Sequence, residues 1–146
     1  MDERFFQCDV CGNLIVTLIA SGVIPECCGE KMTQIKANTT DGAREKHVPL
    51  SVYVAGCKLK VCVGSVAHPM TDQHHISFIC LETQSGFVVH YLNPGDVPTA
   101  TFCYSSRPIA VYAYCNLHGL WRADVPELKR CVDDEYTDSC GKFGHD

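Results

Sequence analysis

The sequence predicts a mainly β protein, with a small metal-stapled module followed by an immunoglobulin-like antiparallel β-sandwich. Three observations predict it. Four cysteines crowd into 21 residues near the N-terminus, where the apolar content is too low for a core of its own. From Val48 to Cys115, short runs of β-branched and aromatic residues alternate with turn signals. Helical periodicity is nearly absent. A length of 146 residues accommodates such a module plus a domain of about 90 residues.

The elements follow in order. Residues 1–37 form the module, with a short apolar strand expected over Leu14 to Ile19, and a unit this small needs a staple. Residues 36–44, Lys-Ala-Asn-Thr-Thr-Asp-Gly-Ala-Arg, read as a polar linker. Residues 38–125 then carry strands at Leu50 to Ala55, Lys58 to Val63, His75 to Glu82, Phe87 to Leu92, Thr99 to Tyr104 and Ile109 to Tyr114. Turns are marked by Gly56, His68-Pro69, Ser85-Gly86 and Asn93-Pro94-Gly95, and alternation is clearest in Lys58-Leu59-Lys60-Val61-Cys62-Val63. Residues 126–146 are an acidic tail, with a turn of helix expected at Pro126 to Cys131.

Composition narrows the function classes. The chain is 46% hydrophobic and 20% charged, as in globular proteins, and has no apolar run of the roughly 18 residues that a membrane span requires. A net charge of -5 and the absence of Lys/Arg clusters argue against a nucleic-acid partner. Eleven cysteines, an odd number, argue for metal-binding thiolates over a disulfide scaffold. The N-terminus, Met1-Asp2-Glu3-Arg4-Phe5-Phe6, lacks the layout of a signal peptide, so a reducing cytoplasm is the expected compartment.

Cys8 and Cys11 have the two-residue spacing at which a backbone knuckle turns both sulfurs toward one cation, with Gly12 free to take a positive φ. Cys27 and Cys28 are adjacent, unlike the spaced second pair of a zinc ribbon. The pattern Cys8-x-x-Cys11-Gly12-Asn13, fifteen intervening residues, then Cys27-Cys28-Gly29 resembles desulforedoxin, a small protein with one iron on four thiolates. The resemblance implies Cys8, Cys11, Cys27 and Cys28 as ligands of iron. A tetrahedral sulfur site accepts zinc as well.

Five of the seven histidines fall in three short motifs: Glu45-Lys46-His47-Val48-Pro49, His68-Pro69-Met70-Thr71-Asp72-Gln73-His74-His75, and Cys115-Asn116-Leu117-His118-Gly119-Leu120-Trp121. A lone histidine in a β protein is an ordinary surface or hydrogen-bonded residue. The grouping, with Cys115-x-x-His118 as a two-ligand clasp, points to a metal. Together the motifs, over residues 45–121, resemble the neelaredoxin-like catalytic domain of superoxide reductases, so that with the first module about five sixths of the chain looks like a desulfoferrodoxin, a two-iron superoxide reductase.

That resemblance implies a second iron, held by His47, His68, His74 and His118 with Cys115 as an axial thiolate. It implies one-electron reduction of superoxide to hydrogen peroxide, with electrons from rubredoxin or a similar donor. Glu45 is assigned to the resting oxidised iron and Lys46 to attraction of superoxide, although as residues alone they are an ordinary solvated pair. A homodimer is expected, since a symmetric pair is the common solution for small modules. His74 and His75 are neighbours, and in a strand they point to opposite faces, so only one should ligate, and His74 has the family's spacing from His68. Cys57, Cys62, Cys80 and Cys103 read as small buried hydrophobes. Cys131 and Cys140, in the tail, read as a redox pair, a metal appendage or inert thiols, with inert thiols favoured. Superoxide dismutation at the same site, pure electron carriage, and a zinc-stabilised binding module are the competing functions.

Overall fold

The four N-terminal cysteines sit on a scaffold of very short strands. The computed structural model describes residues 4–127, and the chain divides into two units after Thr40. In the first unit β1 (Phe5–Gln7) is the centre of a three-stranded antiparallel sheet, between β2 (Leu14–Val16) and a later strand, β5 (Thr33–Gln34). A two-stranded ladder, β3 (Glu26–Cys27) with β4 (Glu30–Lys31), carries the second cysteine pair. The expected strand from Leu14 stops at Val16, not Ile19, because Val16 already pairs with Phe5, the first residue of β1. Leu18 and Ile19 are left exposed. Among the described residues a small apolar cluster joins Phe6, Cys8 and Met32, with Cys27 packed against it.

The second unit opens with α1 (Arg44–His47), one turn of helix that begins at the end of the stretch expected to be a linker. Arg44, Glu45 and Lys46 are good helix formers, and Pro49 ends the turn by holding Val48 extended. Seven strands follow: β6 (Pro49–Val54), β7 (Lys58–Val63), β8 (Ile76–Thr83), β9 (Gly86–Tyr91), β10 (Thr99–Cys103), β11 (Pro108–Cys115) and β12 (Gly119–Asp124). They form two antiparallel sheets, ordered β10-β7-β6 and β12-β11-β8-β9. Leu59, Val61, Val63, Ala100 and Phe102 of the first sheet and Ile79, Leu81, Val111 and Ala113 of the second belong to one buried cluster. Along β7 the apolar residues are buried while Lys58, Lys60 and Cys62 are not, as alternation requires.

Strand β12 was not among the expected strands, since Gly-Leu-Trp-Arg-Ala-Asp lacks a regular apolar pattern. It forms because the three-residue loop 116–118 closes onto Gly119 at φ 75°, returning the chain beside β11 with Cys115 paired to Gly119. The same end of the sheet carries a register shift: Tyr114 pairs with Phe78, but Cys115 pairs with Ile76. Such an irregularity bends the ladder and re-aims a side chain. Cys115, beside it, is fully buried. The helix expected over 126–131 falls almost wholly outside the described residues, as do Cys131 and Cys140.

Candidate metal centres

The sulfurs of Cys8, Cys11, Cys27 and Cys28 all lie within 4.8 Å of one another. Two backbone turns bring them there. Gly12 (φ 80°) donates its N–H to the Cys8 carbonyl at 2.9 Å, and Cys28 itself takes a positive φ of 54° before Gly29, also left-handed at 77°. That strained turn is what lets adjacent cysteines face one centre. The Cys11 amide donates to the Cys8 sulfur at 3.4 Å, and the Asn13 amide reaches the Cys27 sulfur at 3.8 Å. The Cys11 amide is the main reason the Cys8 thiol is lowered to about 7. Hydrogen bonding with the thiols of Cys11, Cys8 and Cys27 pushes Cys28 up to about 12. The Cys8 thiolate forms readily, whereas Cys27 and Cys28, both raised, need a cation to replace their protons.

The second cluster sits at one end of the sandwich. One ligand atom from each of His47, His74, Cys115 and His118 falls within a mutual 4.8 Å. His68 lies against them, its Nε2 3.0 Å from His47 Nε2 and its ring 4.6 Å from that of His74. Cys115 Sγ is 3.7 Å from His118 Nδ1. His47 comes from α1, His68 and His74 from the connection between β7 and β8, and Cys115 and His118 from the hairpin joining β11 to β12. All five residues expected to hold the second ion are therefore brought together.

Their protonation suits a cation. The His47 and His68 Nδ1–H groups donate to the Ala43 and Pro69 carbonyls, each at 2.7 Å, which fixes the tautomer and leaves an Nε2 lone pair on each ring. Two lone pairs 3.0 Å apart repel unless a proton or a metal ion serves both. Burial opposes the proton, holding His68 down to about 4 and lowering His47 and His74 as well. His74 Nε2 is buried without a hydrogen-bond partner in the described residues. Burial also raises the Cys115 thiol, while the Leu117 and His118 amides pull the other way and would support a thiolate. Neutral imidazoles with one thiolate suit a divalent transition metal such as iron.

Glu45 and Lys46 precede His47 on α1, and Lys46 is near enough for its charge to disfavour imidazolium at His47 and His74. His75 does not join the cluster. Its backbone N–H donates to Asn116 Oδ1 at 2.8 Å and its Nδ1–H to the Thr71 carbonyl at 3.0 Å. Strand alternation is not what separates it from His74, because both precede the first residue of β8. Sequence reasoning missed the supporting groups. Trp121 stacks on His47, centroids 4.9 Å apart, and donates its indole N–H to the His118 carbonyl at 3.1 Å. Gly42 lies against both residues: a Cβ there would come 3.2 Å from the Trp121 ring and 3.4 Å from His118. Trp121 closes the third motif, and its place three residues after His118 was the available signal.

A small, mainly β chain with one four-thiolate cluster in its first unit and one histidine-and-thiolate cluster on a seven-stranded sandwich has the marks of a two-centre non-haem metalloprotein. Residues 39–124 match the family model described as desulfoferrodoxin. The desulfoferrodoxin of Nitratidesulfovibrio vulgaris is 44% identical over 84% of this chain and 96% of the relative, and a desulfoferrodoxin homolog of Archaeoglobus fulgidus is 43% identical over 82% and 95%. Among solved structures, the superoxide reductase from Treponema pallidum superposes with a TM-score of 0.69 at 35% identity, covering 83% of this chain and 98% of that one. The chain belongs to the desulfoferrodoxin family.

Proposed function

We infer that this chain is a superoxide reductase, converting superoxide to hydrogen peroxide by one electron at iron held by His47, His68, His74, His118 and Cys115. The observation that carries this reading is the convergence of four imidazoles and one buried thiol in a member of this family. Iron bound there supplies the single electron, and two protons complete hydrogen peroxide. The protein's own groups do the rest. Ala43 and Pro69 hold two rings in the ligating tautomer, and the Leu117 and His118 amides stabilise the Cys115 thiolate. Lys46 draws the anion toward the cluster, a local effect worth roughly 10- to 10³-fold in encounter rate even on an acidic protein. Glu45, beside it on α1, would serve as a further oxygen donor to oxidised iron.

Residues 38–125 carry this chemistry, and residues 1–37 hold a second iron on Cys8, Cys11, Cys27 and Cys28, where zinc is the alternative occupant. Rubredoxin or a similar small carrier provides the electron. The protein works as a homodimer in the cytoplasm. No helix among the described residues is long and apolar enough to cross a membrane.

The test is stoichiometric. The reduced iron protein is mixed with a known dose of superoxide, and peroxide formed, dioxygen evolved and electrons lost are measured. Peroxide equal to the superoxide consumed, with iron oxidised and no dioxygen, is the expected result. Peroxide at half that yield with matching dioxygen would make the protein a dismutase. No reaction above background would leave an electron carrier or a zinc module.

A further inference from the structure

We propose that the turn Gly64-Ser65-Val66 is a clamp that positions Glu45 and Lys46, and so sets where the Lys46 ammonium meets superoxide. The proposal rests on the reading of Lys46 as the anion-attracting charge. Helix α1 is four residues long, so most of its carbonyls have no partner within the helix. The Glu45 carbonyl, between the two charged side chains, takes two hydrogen bonds from outside: the Val66 N–H at 2.9 Å and the Ser65 hydroxyl at 3.1 Å. Gly64 makes the approach possible. A Cβ at that position would lie 2.5 Å from the Glu45 carbonyl oxygen, 2.9 Å from the Lys46 carbonyl carbon and 3.1 Å from that of Glu45, all backbone atoms that cannot swing aside.

The clamp is itself anchored. The Val63 N–H donates to the Pro98 carbonyl at 3.0 Å, and the His68 N–H closes the turn onto the Val63 carbonyl at 3.2 Å. On the far side of α1, the Ala43 carbonyl accepts the Lys46 N–H at 3.1 Å and the His47 Nδ1–H at 2.7 Å. The Glu45-Lys46 peptide is thus fixed between two supports, one bearing His47 and the other leading into His68. Ser65 is exposed and its hydroxyl donates to the Glu45 backbone carbonyl, not to a residue of the cluster, so it can be removed without altering the donor set.

The experiment uses the iron-loaded full chain as parent, Ser65→Ala, Ser65→Thr, Lys46→Ala and the Ser65→Ala/Lys46→Ala double variant. Iron per chain, hydrogen exchange of the 43–48 segment by peptide mass, and the second-order rate with superoxide at low and high salt are read for each. Ser65→Ala is expected to keep its iron, exchange faster over 43–48, lose roughly two- to ten-fold in rate at low salt, and show a flatter salt dependence. Ser65→Thr restores the parent values, and the double variant is no slower than Lys46→Ala alone. Gly64→Ala gives a larger effect of the same kind, but the Ser65 variants decide the matter if that chain does not fold. Unchanged exchange and rate in Ser65→Ala, or an undiminished loss on the Lys46→Ala background, would overturn the clamp. A Lys46→Ala variant as fast as the parent would instead remove the reading of Lys46, and the clamp with it.

Discussion

The Nε2 atoms of His47 and His68 face each other at 3.0 Å, and neither has a proton to offer, because both Nδ1–H groups are committed to backbone carbonyls. A cation within reach of both lone pairs would relieve their repulsion. Replacement of His68 by Ala should therefore empty the second centre while leaving the four-cysteine centre loaded. Metal analysis of purified His68→Ala should give one ion per chain against two in the parent. The affinity lost should exceed the roughly 10- to 100-fold typical of a missing supporting hydrogen bond. Two ions per chain in the variant would show that His68 is not a ligand.

His74 and His75 offer a paired control, since they are adjacent and chemically identical. His74 turns a buried, unpartnered Nε2 toward the cluster, whereas His75 is tied to Thr71 and Asn116. His74→Ala should lose the second ion and the superoxide reaction together. His75→Ala should keep both, with stability lower by about 1 kcal/mol for the lost hydrogen bond. Parallel metal contents in the two variants would mean the local backbone rearranges on loading.

How much of this was legible in the sequence depends on whether the signal was periodic or positional. Strand β7 is legible because Lys58-Leu59-Lys60-Val61-Cys62-Val63 alternates, and the alternation is burial itself. The nine candidate ligands are legible from short spacings and the family they resemble. Strand β12 and helix α1 are not, because neither owes its existence to its own pattern. Gly119 and pairing with β11 impose the first, and Pro49 and the Gly64-Ser65-Val66 turn delimit the second. Supporting groups such as the Ala43 and Pro69 carbonyls are backbone atoms and leave no mark on residue identity.

Cys80 predicts an alkaline weakness. Burial, reinforced by the nearby Glu82 charge, raises its thiol from the ordinary 9.0 to about 12. Above pH 9 the unfolded chain releases a proton that the folded chain retains, so the unfolded state binds fewer protons and stability falls as pH rises. The contribution is fully present below about pH 9 and is lost progressively toward pH 12, by at most about 4 kcal/mol. Denaturant titrations between pH 8 and 11 should show this decline in the parent and a shallower one in Cys80→Ala. Equal slopes would assign the decline to other groups.

The four-cysteine unit makes the sharpest thermodynamic claim, because it has so little else to hold it. Its apolar cluster of Phe6, Cys8 and Met32 includes a candidate ligand, and its strands are two or three residues long. At about 1–2 kcal/mol of backbone entropy per residue, burying so few side chains cannot fold some 40 residues, whereas an ion coupled to folding contributes on the order of 10–16 kcal/mol. The sandwich, by contrast, has a cluster of fifteen buried residues, of which Cys115 alone is a candidate ligand. Cys11→Ser, which removes one sulfur from an exposed position, should therefore abolish hydrogen-exchange protection over residues 4–36 and leave β7, β8 and β11 protected. Because the superoxide chemistry is assigned to the other unit, the variant's reaction with superoxide, once chemically reduced, should stay within about two-fold of the parent, a difference of only ~0.4 kcal/mol. Retained protection in the first unit would mean that contacts other than the ion fold it. A large fall in the superoxide rate would mean that the four-cysteine centre takes part in each turnover.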